Sequence, residues 1–185
     1  MTAVVLLVVA IVIAVVAAPG RARLAADDTY PDRVVRGADR VLTAVMVVLL
    51  AAAAIVAAVG SALPAYDLIA GRVVAVIAAA VTGGPVVRTV LAIGGIPTRN
   101  DNYDDPAPDP PLRGGRVIGL LERTGVAVSL LLGWPAGIAV ILGIKGLARF
   151  PQLREHHASE QFILGTFASV LWACAAAGIG VLLGR

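Results

Sequence analysis

The run VLTAVMVVLLAAAAIVAAVGSAL, from Val41 to Leu63, contains no Asp, Glu, Lys or Arg. At 1.5 Å of rise per residue a helix of this length crosses the ~30 Å hydrocarbon layer of a bilayer. A soluble core helix has no need of so much unbroken apolar sequence, because one of its faces meets water. Pro64 closes the run, and a tight turn through Ala65 to Asp67 leads into a second long apolar block, Leu68 to Val87.

Working outward, the same texture covers most of the chain. Of the 185 residues, 59% are hydrophobic and the mean hydropathy is +0.91. Such values lie outside the range of soluble domains and make a bilayer the relevant solvent. Six blocks emerge, at 2–18, 41–63, 68–87, 117–133, 136–150 and 159–183, and the expected fold is an all-α, polytopic transmembrane bundle. Block one, Thr2 to Ala18, ends in small residues before Pro19, as a cleavable signal does. No Lys or Arg precedes it, however, so it reads as an uncleaved first span.

Between the blocks lie two polar stretches. Arg21 to Arg40 reads as a connector rich in Arg and Asp, punctuated by Pro31 and Gly37. Gly83-Gly84-Pro85 is expected to kink or end the third helix, leaving Thr89 to Ile96 as an extension along the headgroups. Residues 97–114 hold Pro106, Pro108, Pro110 and Pro111 among Asp101, Asp104, Asp105 and Asp109, which gives a solvated cytoplasmic linker without calcium-loop spacing. The chain thus divides into N-terminal helices (1–96), the linker and a C-terminal membrane module (115–185).

The positive-inside rule places Arg21 to Arg40 in the cytoplasm, and with it Arg88, Arg99, Arg113 and Arg116. Val117 to Phe150 is long for one span and short for two. A hairpin turning at Trp134-Pro135 returns Lys145, Arg149 and Arg154 to the positive side, so six membrane segments with both termini outside are expected. The alternative is five spans with a cytoplasmic C-terminus, which the short second arm favours.

Charge and motifs exclude several functions. The net charge of +3 comes from arginines scattered between apolar blocks, with Lys145 the sole lysine, and no basic helix suited to nucleic acid is formed. Cys174 is the single cysteine, so one chain has neither a disulfide nor a Cys-x-x-Cys motif. Glu155-His156-His157 and Glu160 are metal-ligand types, but adjacent histidines cannot share a helix face, and they read as a loop. Ser129 and Ser169 have no base nearby, and neither Gly-x-Ser-x-Gly nor a P-loop occurs. No enzymatic activity, cofactor or metal is therefore expected. Gly115/Gly119, Gly133/Gly137 and Gly180/Gly184 have the four-residue spacing of close helix contacts.

The candidate site is a charge network of Glu122, Arg123, Lys145, Arg149 and Glu160. Lys145 and Arg149 share a helix face, and the hairpin brings them back towards Glu122, so that opposite charges meet near the cytoplasmic surface. Glu160, at the start of the last segment, is expected to join them.

Gly119-Leu120-Leu121-Glu122-Arg123, Gly133, Ile138, Lys145-x-x-x-Arg149-Phe150 and Glu160-x-x-x-Leu164-Gly165-Thr166-x-x-Ser169 together resemble a membrane module of bacterial, chiefly actinobacterial, proteins of the domain-of-unknown-function class. Residues 115–185 carry the resemblance. Trp134-Pro135-Ala136 is less polar than the family's turn, and Gly146 stands where a serine is usual. No activity or ligand comes with the resemblance. The expected role is a non-enzymatic scaffold or small subunit of a cell-envelope assembly in a bacterial plasma membrane. Its partners would be the bilayer and another membrane protein or a second copy of itself. A transporter or channel component that binds or gates an ion or lipid headgroup through the charge cluster is the alternative.

Overall fold

A computed structural model describes residues 1–26, 30–96, 115–150 and 156–185, without the side chains of 156–158. Among them are six α-helices: α1 (Thr2–Ala26), α2 (Asp32–Val59), α3 (Ala65–Ile93), α4 (Gly115–Leu131), α5 (Ala136–Arg149) and α6 (His156–Leu182). Helices α1, α2, α3 and α6 are long and apolar enough to cross a membrane. At 1.5 Å per residue α4 spans roughly 25 Å and α5 roughly 21 Å, both shorter than the ~30 Å hydrocarbon layer.

The packing is that of helices in lipid. Small residues face inward: Ala3, Ala10 and Ala14 on α1, Ala53 and Ala57 on α2, Ala75, Ala78 and Ala79 on α3, and Ala173, Ala176 and Ala177 on α6 are buried. Large apolar side chains such as Val12, Val48, Ile55, Ile69, Ile77, Phe167 and Leu171 point outward. In water this arrangement would be costly. In hydrocarbon it costs nothing and lets backbones approach closely, so that dispersion between helices replaces the hydrophobic effect as the cohesive force.

Helix α6 lies against α2, α3 and α4, and its contact with α3 is the most extensive in the molecule. The two run antiparallel. Leu183 and Gly184 meet Gly71 and Leu68 at one end, while Leu164 meets Gly94 at the other. Gly180 permits this approach: a Cβ there would stand 3.2 Å from that of Ala75 and 2.9 Å from Leu131. The Leu63 N–H donates to the Leu183 carbonyl at 2.9 Å and ties the α2–α3 turn to the end of α6. Helix α5 is the exception to the close packing, because its substantial contacts are with α4 alone.

The α4–α5 connection is the expected hairpin turn. Gly133 has φ +70, Trp134 N–H donates to the Ser129 carbonyl at 2.8 Å and Gly133 N–H to that of Leu130 at 3.0 Å. These bonds form a Schellman motif, whose left-handed residue glycine occupies without strain. Helix α3 ends in the same way at Gly95.

Two expectations are corrected. Arg21 to Arg40 is no simple connector: α1 runs through Pro19 to Ala26, and α2 begins at Asp32. Polarity ends a membrane span but not a helix, and Arg, Leu and Ala in this region are good helix formers. Nor does Gly83-Gly84-Pro85 end α3, which continues to Ile93. Thr89, expected at the headgroups, is buried, and its hydroxyl lies 2.8 Å from that of Thr43 on α2. Packing against α2 and α6 holds both sides of the proline in one element.

Candidate functional site

The helix directions bring charge to one end of the bundle. The start of α1, both tight turns and the end of α6 share one end, where Asp67, Arg72 and Arg185 are the charged side chains. The other end carries Arg21, Arg23, Arg33, Arg36, Arg40, Arg88, Arg116, Arg123, Lys145 and Arg149 among the described residues.

Three sets of contacts use these residues as ties between helices. The first is centred on Asp39 of α2, only 4% exposed. Arg21 of α1 donates to its carboxylate from Nη2 at 3.0 Å, and Arg88 of α3 donates from Nε at 2.9 Å. A second Arg88 nitrogen lies 2.9 Å from the same carboxylate. One anion therefore joins three helices, and the surplus positive charge of the trio sits where arginine can reach the headgroups. Hydropathy does not reveal this site, because it places Asp39 in a polar connector. Its signal is the buried stripe Val35, Asp39, Met46, Leu50, Ala53 and Ala57, in which an acid stands at an interior position of a helical repeat.

The second set is centred on Arg123 of α4, 8% exposed. Its Nε donates to the Ala80 carbonyl of α3 at 2.9 Å, and Nη1 lies 3.4 Å from the Ser169 hydroxyl of α6. Pro85 has no N–H to donate to the Val81 carbonyl, and Arg123 donates one residue earlier, to the carbonyl of Ala80. Gly83 makes the approach possible: a Cβ there would lie 2.6 Å from Arg123 Cδ and 2.9 Å from Trp172 Cδ1. Trp172 Nε1 donates to the Thr82 hydroxyl at 2.9 Å, which in turn donates to the Ala78 carbonyl at 2.6 Å. The neighbouring indole and hydroxyl are thus satisfied within the bundle.

The third set is the expected cross-hairpin pair. Lys145 Nζ lies 2.6 Å from a Glu122 carboxylate oxygen, and the ammonium also stands 5.7 Å from the Phe162 ring centroid of α6. Of the five residues in the expected network, Glu122 and Lys145 meet directly. Arg123 turns instead into the α3–α4–α6 interface, because adjacent helix positions point about 100° apart. Arg149 lies in the last turn of α5. Glu160 is exposed near the start of α6, and no ion pair joins it to the others among the described residues.

Between α4, α5 and α6 lies a crevice lined by Glu122, Arg123, Val126, Ile141, Leu142, Ser169 and Val170, too narrow to admit a water molecule. No group of three or more His, Cys, Asp or Glu suited to a metal occurs among the described residues. The acidic linker cluster, Glu155 and the side chains of His156 and His157 lie outside them. No protein-family model matches the chain, and neither does any curated protein or solved structure.

Proposed function

We propose that this chain is a non-enzymatic membrane scaffold, a small subunit around which a cell-envelope assembly is organised in a bacterial plasma membrane. The observation that carries the reading is the use made of the charged residues. Asp39 ties α1, α2 and α3, Arg123 ties α3, α4 and α6, and Lys145 ties α5 to α4. These contacts sit at one end of an alanine-packed interior, and the crevice beside Arg123 has no room for water. A conducting or alternating-access protein needs a polar, hydrated path at mid-membrane depth. Here Asp39, Arg123 and Lys145 each hold helices together.

In this reading the chain has six membrane segments, the short α4–α5 hairpin among them, with both termini outside and the basic end in the cytoplasm. The distribution of arginine supports that orientation. The partner is another integral membrane protein or a second copy of this chain. Extraction in a mild detergent, followed by mass spectrometry of what co-purifies in fixed proportion, tests the proposal. A stoichiometric membrane partner or a stable homo-oligomer is expected. A monomer without partners that carries ion flux in sealed vesicles would overturn it.

A further inference from the structure

Arg123 forms no ion pair among the described residues, and the charge of the Glu122 carboxylate that acts on it is shared with Lys145. Its guanidinium has five N–H groups, of which one is engaged by the Ala80 carbonyl and one, at 3.4 Å, by Ser169. Among the described residues no carboxylate lies within ion-pair distance of it. Glu122, its neighbour in sequence, is turned to Lys145. A charge so deeply buried is tolerated in proteins when an opposite charge accompanies it.

A second group nearby is also unsatisfied. The Thr166 hydroxyl is buried and has no hydrogen-bond partner among the described residues. Thr166 precedes Ser169 by three residues on α6, one turn nearer the basic end, so the two lie side by side on that helix. The guanidinium is turned the same way: Nη1 is 3.3 Å from where a Cβ of Gly119 would be, one turn back along α4. The cation with unused donors thus lines a crevice with Ser169, Glu122 and the apolar Val126, Ile141, Leu142 and Val170, and the orphan Thr166 hydroxyl stands one turn from Ser169 on α6.

We propose that this crevice binds a phosphate-bearing anion. Arg123 would supply the charge, Ser169 and Thr166 hydrogen bonds, and the apolar walls a bed for an acyl chain if the phosphate belongs to a phospholipid headgroup. Arginine suits phosphate by its fork of donors and its weak hydration. Glu122 also lines the crevice, and Lys145 at 2.6 Å neutralises it, so the local balance remains positive. Entry requires the crevice to widen. The wall with the fewest ties is α5, which packs substantially on α4 alone and joins it through the turn at Gly133.

The test uses the full chain in nanodiscs of phosphatidylcholine, with and without phosphatidylglycerol, and in neutral detergent titrated with inorganic phosphate. For the lipid-borne ligand, wild type retains phosphatidylglycerol in native mass spectrometry and melts higher in its presence. Arg123→Gln then loses both effects, and inorganic phosphate has no effect. For free phosphate, the titration raises the melting temperature of wild type but not of Arg123→Gln, and the two lipids behave alike. Thr166→Val removes a hydroxyl that has no partner in the unliganded fold. It therefore keeps the melting temperature in phosphatidylcholine while weakening binding of the active ligand about tenfold, as loss of one hydrogen bond to a charged group does. Equal responses of wild type and Arg123→Gln, or no response in wild type, would overturn the proposal. Should Arg123→Gln fail to fold, unchanged ligand affinity in Thr166→Val would overturn it instead.

Discussion

Replacing Asp39 by asparagine keeps the size of the side chain but removes the carboxylate that α1, α2 and α3 share. Arg21 and Arg88 then face a neutral amide that can accept from one of them, while its NH2 group points a donor at the other. Breaking a fully buried ion pair from one side costs about 3 to 5 kcal/mol. The Asp39 side chain is 5% exposed, but those of Arg21 and Arg88 are 19% and 30% exposed, so both cations recover part of their hydration. Discounting for that screening leaves about 2 to 3 kcal/mol. For a chain of this length it corresponds to a fall in Tm of about 5 to 10 °C. The assay is thermal unfolding in a mild detergent of Asp39→Asn, Arg21→Met, Arg88→Met and the two doubles that contain Asp39→Asn. Each arginine variant alone should cost less than Asp39→Asn, because the aspartate keeps its other partner. Each double should melt higher than the two single effects predict, since the coupling term isolates the ion pair. An Asp39→Asn protein that melts with the wild type, or strict additivity in both cycles, would refute the three-helix clamp.

Glu122→Gln and Lys145→Met should each lower Tm, with a coupling of about 1 kcal/mol in the double, as befits a pair that is only partly buried; additive melts would reduce the contact to two snorkelling side chains. Gly83→Ala should destabilise by about 1 to 3 kcal/mol, because the new methyl meets Arg123 and Trp172. Gly143→Ala, where nothing lies within 4 Å of the added carbon, should be neutral or slightly stabilising, and equal effects at both positions would argue against close approach at Gly83. After Cys174→Ser, a cysteine at Trp134 should react with an impermeant maleimide in intact cells and one at Glu160 only after permeabilisation; the reverse pattern would invert the proposed orientation.

The architecture is largely legible from composition, because crossing hydrocarbon demands uninterrupted apolar sequence, and each of the six blocks falls on one helix. Element ends are less legible. Arg21 and Asp32 are too polar for the membrane interior yet fully compatible with helix, so hydropathy finds where a span stops and not where its helix does. The proline at position 85 misleads for a related reason: its local effect is clear, but the packing against α2 and α6 that keeps α3 in one piece there comes from residues distant in sequence. In the candidate site, Glu122 and Lys145 were predictable from the hairpin alone. Arg123 was grouped with them by adjacency in sequence, and helical rotation sends it elsewhere. Asp39 lies in a stretch that hydropathy reads as a connector, although it shares the buried stripe of α2 with Val35 and Met46.

Because α6 packs into the angle between α2, α3 and α4, its position has a consequence for how the protein is made. Ribosomal synthesis delivers it after the five other helices, yet the alanine face of α3, with Ala75, Ala78 and Ala79, belongs to the core that α6 completes. Without α6, the part of that face not packed on α1, α2 or α4 would be left to lipid. During that interval the nascent chain presents its most adhesive face to whatever membrane protein is nearby. Insertion of α6 is therefore the step that fills the inner surface of the bundle.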